Sequence, residues 1–240
     1  PASAVARSEV VLTMLSDGFA TGAVIEDCAG ALSEGMLWLE MSSAKPEHSR
    51  QQAERLAQLG VDFIDAPVSG GTKGAEAGTL AIMAGGERGV FARAEPVLSA
   101  MGRPVWVGPV GSGQLSKLAN QGIVAVAIAA VAEAMLFLEK GGADPAAVRD
   151  ALKGGFADST ILQQHGARMT NRDFEPGGLS KFQLKDLNNL LDEASGLGLS
   201  LPVAEDTRDR FTRFVNEMGG ADLDHSGLYL ELLARNGITP

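Results

Sequence analysis

The sequence predicts an α/β layer built on a parallel sheet, followed by an all-α domain. Three observations carry this. Short apolar runs alternate with helical patterns as far as Gly108, the mark of strands joined by crossover helices. From Gln114 onward no convincing strand pattern remains, and a long apolar helix pattern begins. The length, 240 residues, suits one large domain or two ordinary ones. The boundary falls near residues 108–113, giving domains 1–110 and 111–240.

The elements follow in order. Val10 to Leu15 is a continuous apolar run, and Ser16-Asp17-Gly18 after it can turn the chain and cap a helix. Met36 to Met41 is the next strand. Pro46 to Leu59 reads as an amphipathic helix with proline in its first turn and Gly60 past its end. Val61 to Ala66 is a third strand, Thr79 to Ala84 a fourth, and Pro104 to Gly108 a last short one, with a helix around Phe91 to Met101 between the last two. A long helix then spans Gln114 to Lys140. Shorter ones follow at Pro145 to Lys153, Thr160 to Arg168, Leu179 to Ser195, Pro202 to Met218 and Ser226 to Ala234, separated by Gly, Pro, Asp and Asn.

Composition narrows the class of function. A net charge of −10 argues against a nucleic-acid surface, which needs clustered Lys and Arg. The single cysteine, Cys28, excludes an intrachain disulfide and suits the cytoplasm. The histidines, His48, His165 and His225, are too dispersed in sequence for a metal motif, so no metal is expected. Gly122 to Leu138 is apolar enough to resemble a membrane span, but it is short and carries Glu133. A helix buried among other helices is the expectation, with no membrane partner.

Three segments carry chemistry. Asp65-Ala-Pro-Val-Ser-Gly-Gly71, continuing to Gly74, Gly78 and Thr79, is a strand that ends in a glycine-bearing loop. Ligands of open α/β sheets bind beyond such strand ends, and glycine backbone N–H groups with the Ser69 hydroxyl can meet an anion. Locally the pattern fits a tight turn of small residues equally well. Gly111-x-Gly113 hints at a dinucleotide fingerprint, but Ser116 stands at the third glycine position and no βαβ unit follows. Lys117, Asn120 and Gln121 stand at i, i+3 and i+4, on one face near the start of the long helix. The positive end of the helix dipole and partial burial both disfavour a protonated Lys117, the condition a proton-transfer group needs. A surface lysine on a solvated first turn is the alternative. Lys185-Asp186 on a later helix is, by itself, an ordinary solvated pair.

Together these strings resemble the β-hydroxyacid dehydrogenase family, which includes 3-hydroxyisobutyrate dehydrogenase and tartronate semialdehyde reductase. DAPVSGG with a later GTL resembles the substrate-binding signature, GSGQLSKLANQ the catalytic-lysine segment, and KDL at Lys185 to Leu187 a cofactor-contacting segment; VVLTMLSD and EMSS resemble cofactor-side loops. The resemblance implies a Rossmann-type first domain and a helical second domain like that of 6-phosphogluconate dehydrogenase. It implies an NAD- or NADP-dependent oxidoreductase that interconverts a short β-hydroxyacid and its semialdehyde. Ser69, Gly70 and Gly71 would hold the substrate carboxylate. Lys117 would move the proton, with Asn120 and Gln121 fixing substrate oxygens. Met14, Leu15 and Ser43 would line the nicotinamide side, and Lys185, oriented by Asp186, would approach the cofactor. A homodimer or tetramer is expected, because the apolar long helix suits packing against a second subunit.

The pattern is not matched everywhere. The strand, GxGxxG turn and helix that open the family have no counterpart here, so the nucleotide-binding domain reads as incomplete. A non-catalytic dimerisation or binding module is therefore a second reading, and a related imine reductase a third; Lys117 with Asn120 favours hydroxyacid chemistry. Ser16 stands where proline is common, Glu40 where Asp is frequent, and Gly178 where an aromatic is frequent, which bears on the substrate pocket.

Overall fold

The computed structural model describes residues 1–239 and divides into two compact units that meet within one helix, between Ala119 and Asn120.

The first unit opens with a short helix α1 (Ala2–Val5) and then alternates as the apolar runs predict. Its elements are β1 (Val10–Thr13), α2 (Gly18–Cys28), β2 (Leu37–Glu40), α3 (Pro46–Ala57), β3 (Asp62–Asp65), β4 (Val68–Ser69), α4 (Gly71–Glu76), β5 (Leu80–Gly85), α5 (Arg88–Ser99) and β6 (Gly102–Gly108). Asp17 caps α2 by accepting from Ala20 N at 2.9 Å. The fifth helix starts earlier than its apolar pattern, because the Glu87 carboxylate accepts from Gly89 N and Val90 N. Strands β1, β2 and β3 form the expected parallel ladder, Val10 against Leu37 and Leu37 against Asp62, and β5 pairs parallel with β6. The sheet departs from pure parallel at one joint. Strand β5 meets β3 antiparallel at Asp65–Gly85, and the two-residue β4 pairs antiparallel with β5. The connection from β4 to β5 is too short for a full crossover, which needs a dozen residues or more, so the chain must turn back.

Both faces of the central strands β2 and β3 are covered. Leu37, Leu39, Ile64, Ile82 and Ala84 pack with Ala94 and Leu98 of α5, while Trp38 and Phe63 pack with Ile25 and Leu56 of α2 and α3. Two covered faces explain why the strands read as continuous apolar runs.

The helix α6 (Ser112–Gly141) leads into the second unit, which adds α7 (Pro145–Ala151), α8 (Thr160–Asn171), α9 (Ser180–Gly196), α10 (Pro202–Glu217), a turn of 3-10 helix (His225–Gly227) and α11 (Leu228–Arg235). By length and composition α6 is apolar enough to cross a membrane. Its Ile128, Ala132 and Met135 are nevertheless fully buried with Leu187, Phe211, Phe214, Leu228 and Tyr229 in one core, as a core helix requires.

Candidate active site

The ends of β1 and β2 are tied by a buried polar chain. Trp38 Nε1 donates to Thr13 Oγ1 at 3.1 Å, Thr13 donates to Glu40 Oε2 at 2.5 Å, and Ser42 N donates to Glu40 Oε1 at 2.8 Å. Glu40, fully buried, thus holds the backbone at the carboxyl ends of both strands. The Ser42 hydroxyl then accepts from Leu15 N at 2.7 Å. This use of Ser42 leaves Ser43 at the partly exposed surface. Met14 and Leu15 stand 54% and 39% exposed where the strand ends. Two large apolar side chains are thus bared at the carboxyl end of a strand, the end of an open α/β sheet beyond which ligands bind.

The start of α6 is anchored by Asp65 and Gln114, a role that their local sequence does not reveal. Asp65 Oδ1 accepts from Gly111 N at 2.8 Å and Oδ2 from Gln114 N at 2.9 Å. Burial raises its carboxyl to about 7 against the pull of these backbone donors. Gln114, fully buried, donates Nε2 to Ser42 O at 2.8 Å and accepts from Ala44 N at 2.9 Å. One amide therefore clips the loop after β2 to the helix that carries Lys117. Gly113 permits the approach: a Cβ there would lie 2.3 Å from Asp65 O and 2.5 Å from Met83 O. The Gly111-x-Gly113 pair thus serves helix seating, which accounts for its poor match to a phosphate fingerprint.

Within the same unit the predicted substrate loop and the predicted lysine converge. Lys117 Nζ donates to Val68 O at 2.8 Å, on the residue before Ser69. The Ser69 side chain is half-buried and makes no hydrogen bond among the described residues. Gly70 and Gly71 have φ of 141° and 62°, a region that glycine alone enters readily, and the chain turns there from β4 into α4.

The helical unit assembles the other group. Asn120 Nδ2 donates to Gln121 Oε1 at 2.9 Å, and Gln121 Nε2 donates to Asp186 Oδ2 at 2.9 Å. The other Asp186 oxygen lies 3.4 Å from Lys185 Nζ. The buried Asp186 therefore joins the lysine of α9 to the carboxamides of α6, giving the Lys185-Asp186 pair a role beyond a solvated face. Gln183, also buried, donates Nε2 to Gln121 O at 3.1 Å.

Two histidines far apart in sequence do meet. The His165 and His225 rings stack edge-on at 4.7 Å beside Asp224, whose carboxylate lies 3.7 Å from His165 Nδ1. Asp224 Oδ1 accepts from Ser226 N and Oγ, Oδ2 accepts from Gly177 N and Gly178 N, and Arg168 Nε lies 3.6 Å away. The carboxylate's lone pairs are taken and a cation already stands beside it, so the cluster fits a structural clasp on the 177–178 turn better than a metal centre. Burial opposes ionisation of Asp224, but the Ser226 donors, the neighbouring His225 and the Gly177 N–H together outweigh it and hold the carboxyl down at about 2.

Comparison with known proteins agrees with this architecture. Residues 1–111 match the family model described as the NAD binding domain of 6-phosphogluconate dehydrogenase. Residues 111–232 match that described as the NAD-binding domain of NADP-dependent 3-hydroxyisobutyrate dehydrogenase. The chain is 43% identical to 2-hydroxy-3-oxopropionate reductase of Escherichia coli (strain K12), over 95% of this chain and 80% of that protein. It is 34% identical to a probable 3-hydroxyisobutyrate dehydrogenase of Mycobacterium tuberculosis, over 97% of this chain and 81% of the relative. Among solved structures, the M. tuberculosis 3-hydroxyisobutyrate dehydrogenase with L-serine superposes with a TM-score of 0.87 at 31% identity, covering 96% of this chain and 81% of that one. On these matches, which span both units, this chain belongs to the β-hydroxyacid dehydrogenase family of nicotinamide-dependent oxidoreductases.

Proposed function

We propose that the protein interconverts a short β-hydroxyacid and its semialdehyde, with Lys117 as the proton-transfer group. The observation that carries this is the Lys117 Nζ hydrogen bond to Val68 O, which seats the amine on the strand leading into the Ser69-Gly70-Gly71 loop. Ser69 donates its hydroxyl to the substrate carboxylate, and the backbone N–H groups of Gly70 and Gly71 supply further donors. Asn120, held by Gln121, orients the substrate oxygen at C3. During oxidation Lys117 Nζ takes the C3 hydroxyl proton; during reduction it returns a proton to the carbonyl oxygen. NAD or NADP, when bound, accepts or supplies the hydride at C3. Met14, Leu15 and Ser43 face its nicotinamide side, and Lys185, oriented by Asp186, approaches it from the helical domain. The division of labour follows the two domains: residues 1–110 for the dinucleotide, 111–240 for substrate and assembly.

The working assembly is a homodimer or tetramer in the cytoplasm. Exposed apolar side chains on α6, Ile123 at 72% and Phe137 at 77%, support subunit contact, and the unpaired, buried Cys28 suits a reducing compartment. The test is nicotinamide absorbance at 340 nm region wavelengths over a panel of short hydroxyacids and semialdehydes. Turnover of one or more is expected; none with either dinucleotide would sink the reading.

A further inference from the structure

Gln183 assigns the proton on His225. Its Nε2 donates to Gln121 O at 3.1 Å, which turns its Oε1 toward His225 Nδ1, 3.3 Å away. An amide oxygen only accepts, so Nδ1 of the neutral ring carries the hydrogen and Nε2 keeps its lone pair. Burial first, then the neighbouring His165, holds the imidazole down at about 4, so the ring is neutral in the working range.

The ring is also fixed in place. His165 stacks against it edge-on, and His225 N donates to Gly178 O at 2.8 Å. Gly178 leaves one edge of the ring bare. A Cβ at that position would stand 3.2 Å from His225 Cε1, 3.3 Å from Nε2 and 3.6 Å from Nδ1, so its three nearest neighbours all belong to this ring. Among the described residues Nε2 makes no hydrogen bond, and His225 stays partly exposed. A lone pair held this firmly and left open is an acceptor waiting for a donor.

We propose that His225 Nε2 accepts a hydrogen bond from a hydroxyl on C2 of the substrate, which selects three-carbon acids bearing a 2-hydroxyl over those bearing a 2-methyl. The inference rests on the reading of Asn120 and Gln121 as substrate-side groups. Asn120 bonds the Gln121 side chain, and Gln183 joins the Gln121 backbone carbonyl to His225, so the ring is tied to the same turn of α6 that carries these carboxamides. A methyl group cannot donate, and it would strip water from the lone pair without replacing the bond, an unbalanced loss that underlies strong discrimination.

Glycerate and 3-hydroxyisobutyrate differ only in carrying hydroxyl or methyl at C2, so the full chain assayed with both gives the test. The wild type is expected to favour glycerate in kcat/KM. His225→Phe should lower kcat/KM for glycerate about 10- to 100-fold and leave that for 3-hydroxyisobutyrate within about threefold. His225→Gln, which keeps an acceptor, should restore part of the difference. Gly178→Ala presses on the ring while leaving His225 in place, and should shift the ratio the same way if His225→Phe folds poorly. Equal losses on both acids, or an unchanged ratio, would make His225 a structural residue and overturn the proposal. A wild type idle with both acids and with every other hydroxyacid overturns the proposed function itself, and this inference with it.

Discussion

Asp65 and Gln114 lie 49 residues apart, yet the Asp65 carboxylate accepts the Gln114 backbone N–H at 2.9 Å, binding the end of a strand to the first turn of the helix that carries Lys117. The bond fixes where the helix begins and therefore where the lysine stands. Gly111 N on the other carboxylate oxygen makes the clamp two-pronged.

Asp65→Asn tests that clamp. The amide can accept one of the two N–H groups but turns an NH2 donor toward the other, leaving a buried donor unmet. A stability loss of about 1–3 kcal/mol is expected in denaturant unfolding. Activity should fall further than stability does, because the lysine helix shifts. Wild-type kcat in a fully folded Asp65→Asn protein would contradict this.

Ser69→Ala removes a hydroxyl that makes no hydrogen bond among the described residues. Its loss should raise KM for the acid about 10-fold, in line with a charge-assisted hydrogen bond of 1.5 kcal/mol or somewhat more, and should barely change melting temperature. An unchanged KM would remove Ser69 from the substrate site.

Acid should weaken the helical unit before it touches most carboxylates. His225 titrates near 4 in the fold against 6.5 for a free imidazole, and burial lowers His165 in the same direction. Between those values the unfolded chain binds a proton that the folded one refuses. Stability is therefore full above about 6.5 and falls as pH drops toward 4, by on the order of 2–3 kcal/mol for His225. Asp224, held at about 2, contributes stability that is lost only below its free value of 3.8. Melting temperature followed from pH 7 to 4 should show the decline in wild type and a shallower one in His225→Phe; identical slopes would refute the assignment.

Glu231 is fully buried among Arg210, Arg213 and Arg235, at 3.3, 2.8 and 3.1 Å. Removing its charge leaves the nearly buried Arg210 guanidinium with only the exposed Glu133 carboxylate, 3.0 Å from Nη1. Glu231→Leu should cost about 3–5 kcal/mol of unfolding free energy, whereas breaking a solvated surface pair such as Lys153–Asp150 should barely change stability. Comparable small losses for both variants would show that the buried network carries no special weight.

Short-range features were legible in the sequence and long-range ones were not. Asp17 as a helix cap, Pro46 in a first turn, and Lys117, Asn120 and Gln121 on one helix face all follow from spacing of four residues or fewer. The glycine-bearing loop at the end of β3 was visible as a loop, and the turn at Gly70 and Gly71 follows from residue type. The anchoring role of Asp65 and Gln114 was not legible because their partners lie 46 to 72 residues away, and nothing local marks an Asp or Gln for such work. The meeting of His165 with His225 was hidden for the same reason. The antiparallel joint at Asp65–Gly85 was missed because apolar runs report burial and not direction. Gly111-x-Gly113 showed the opposite case, a local pattern whose meaning only packing reveals.

The central claim is that Lys117 transfers the proton, and its direct measurement is the rate of dinucleotide reduction by the full chain with Lys117 replaced by Ala. The account predicts a fall in kcat of about 10²- to 10⁴-fold with the fold and dinucleotide affinity retained, and a smaller deficit as pH rises, when solvent hydroxide can take the proton in the lysine's place. A Lys117→Ala protein that keeps kcat within about threefold of wild type would contradict it.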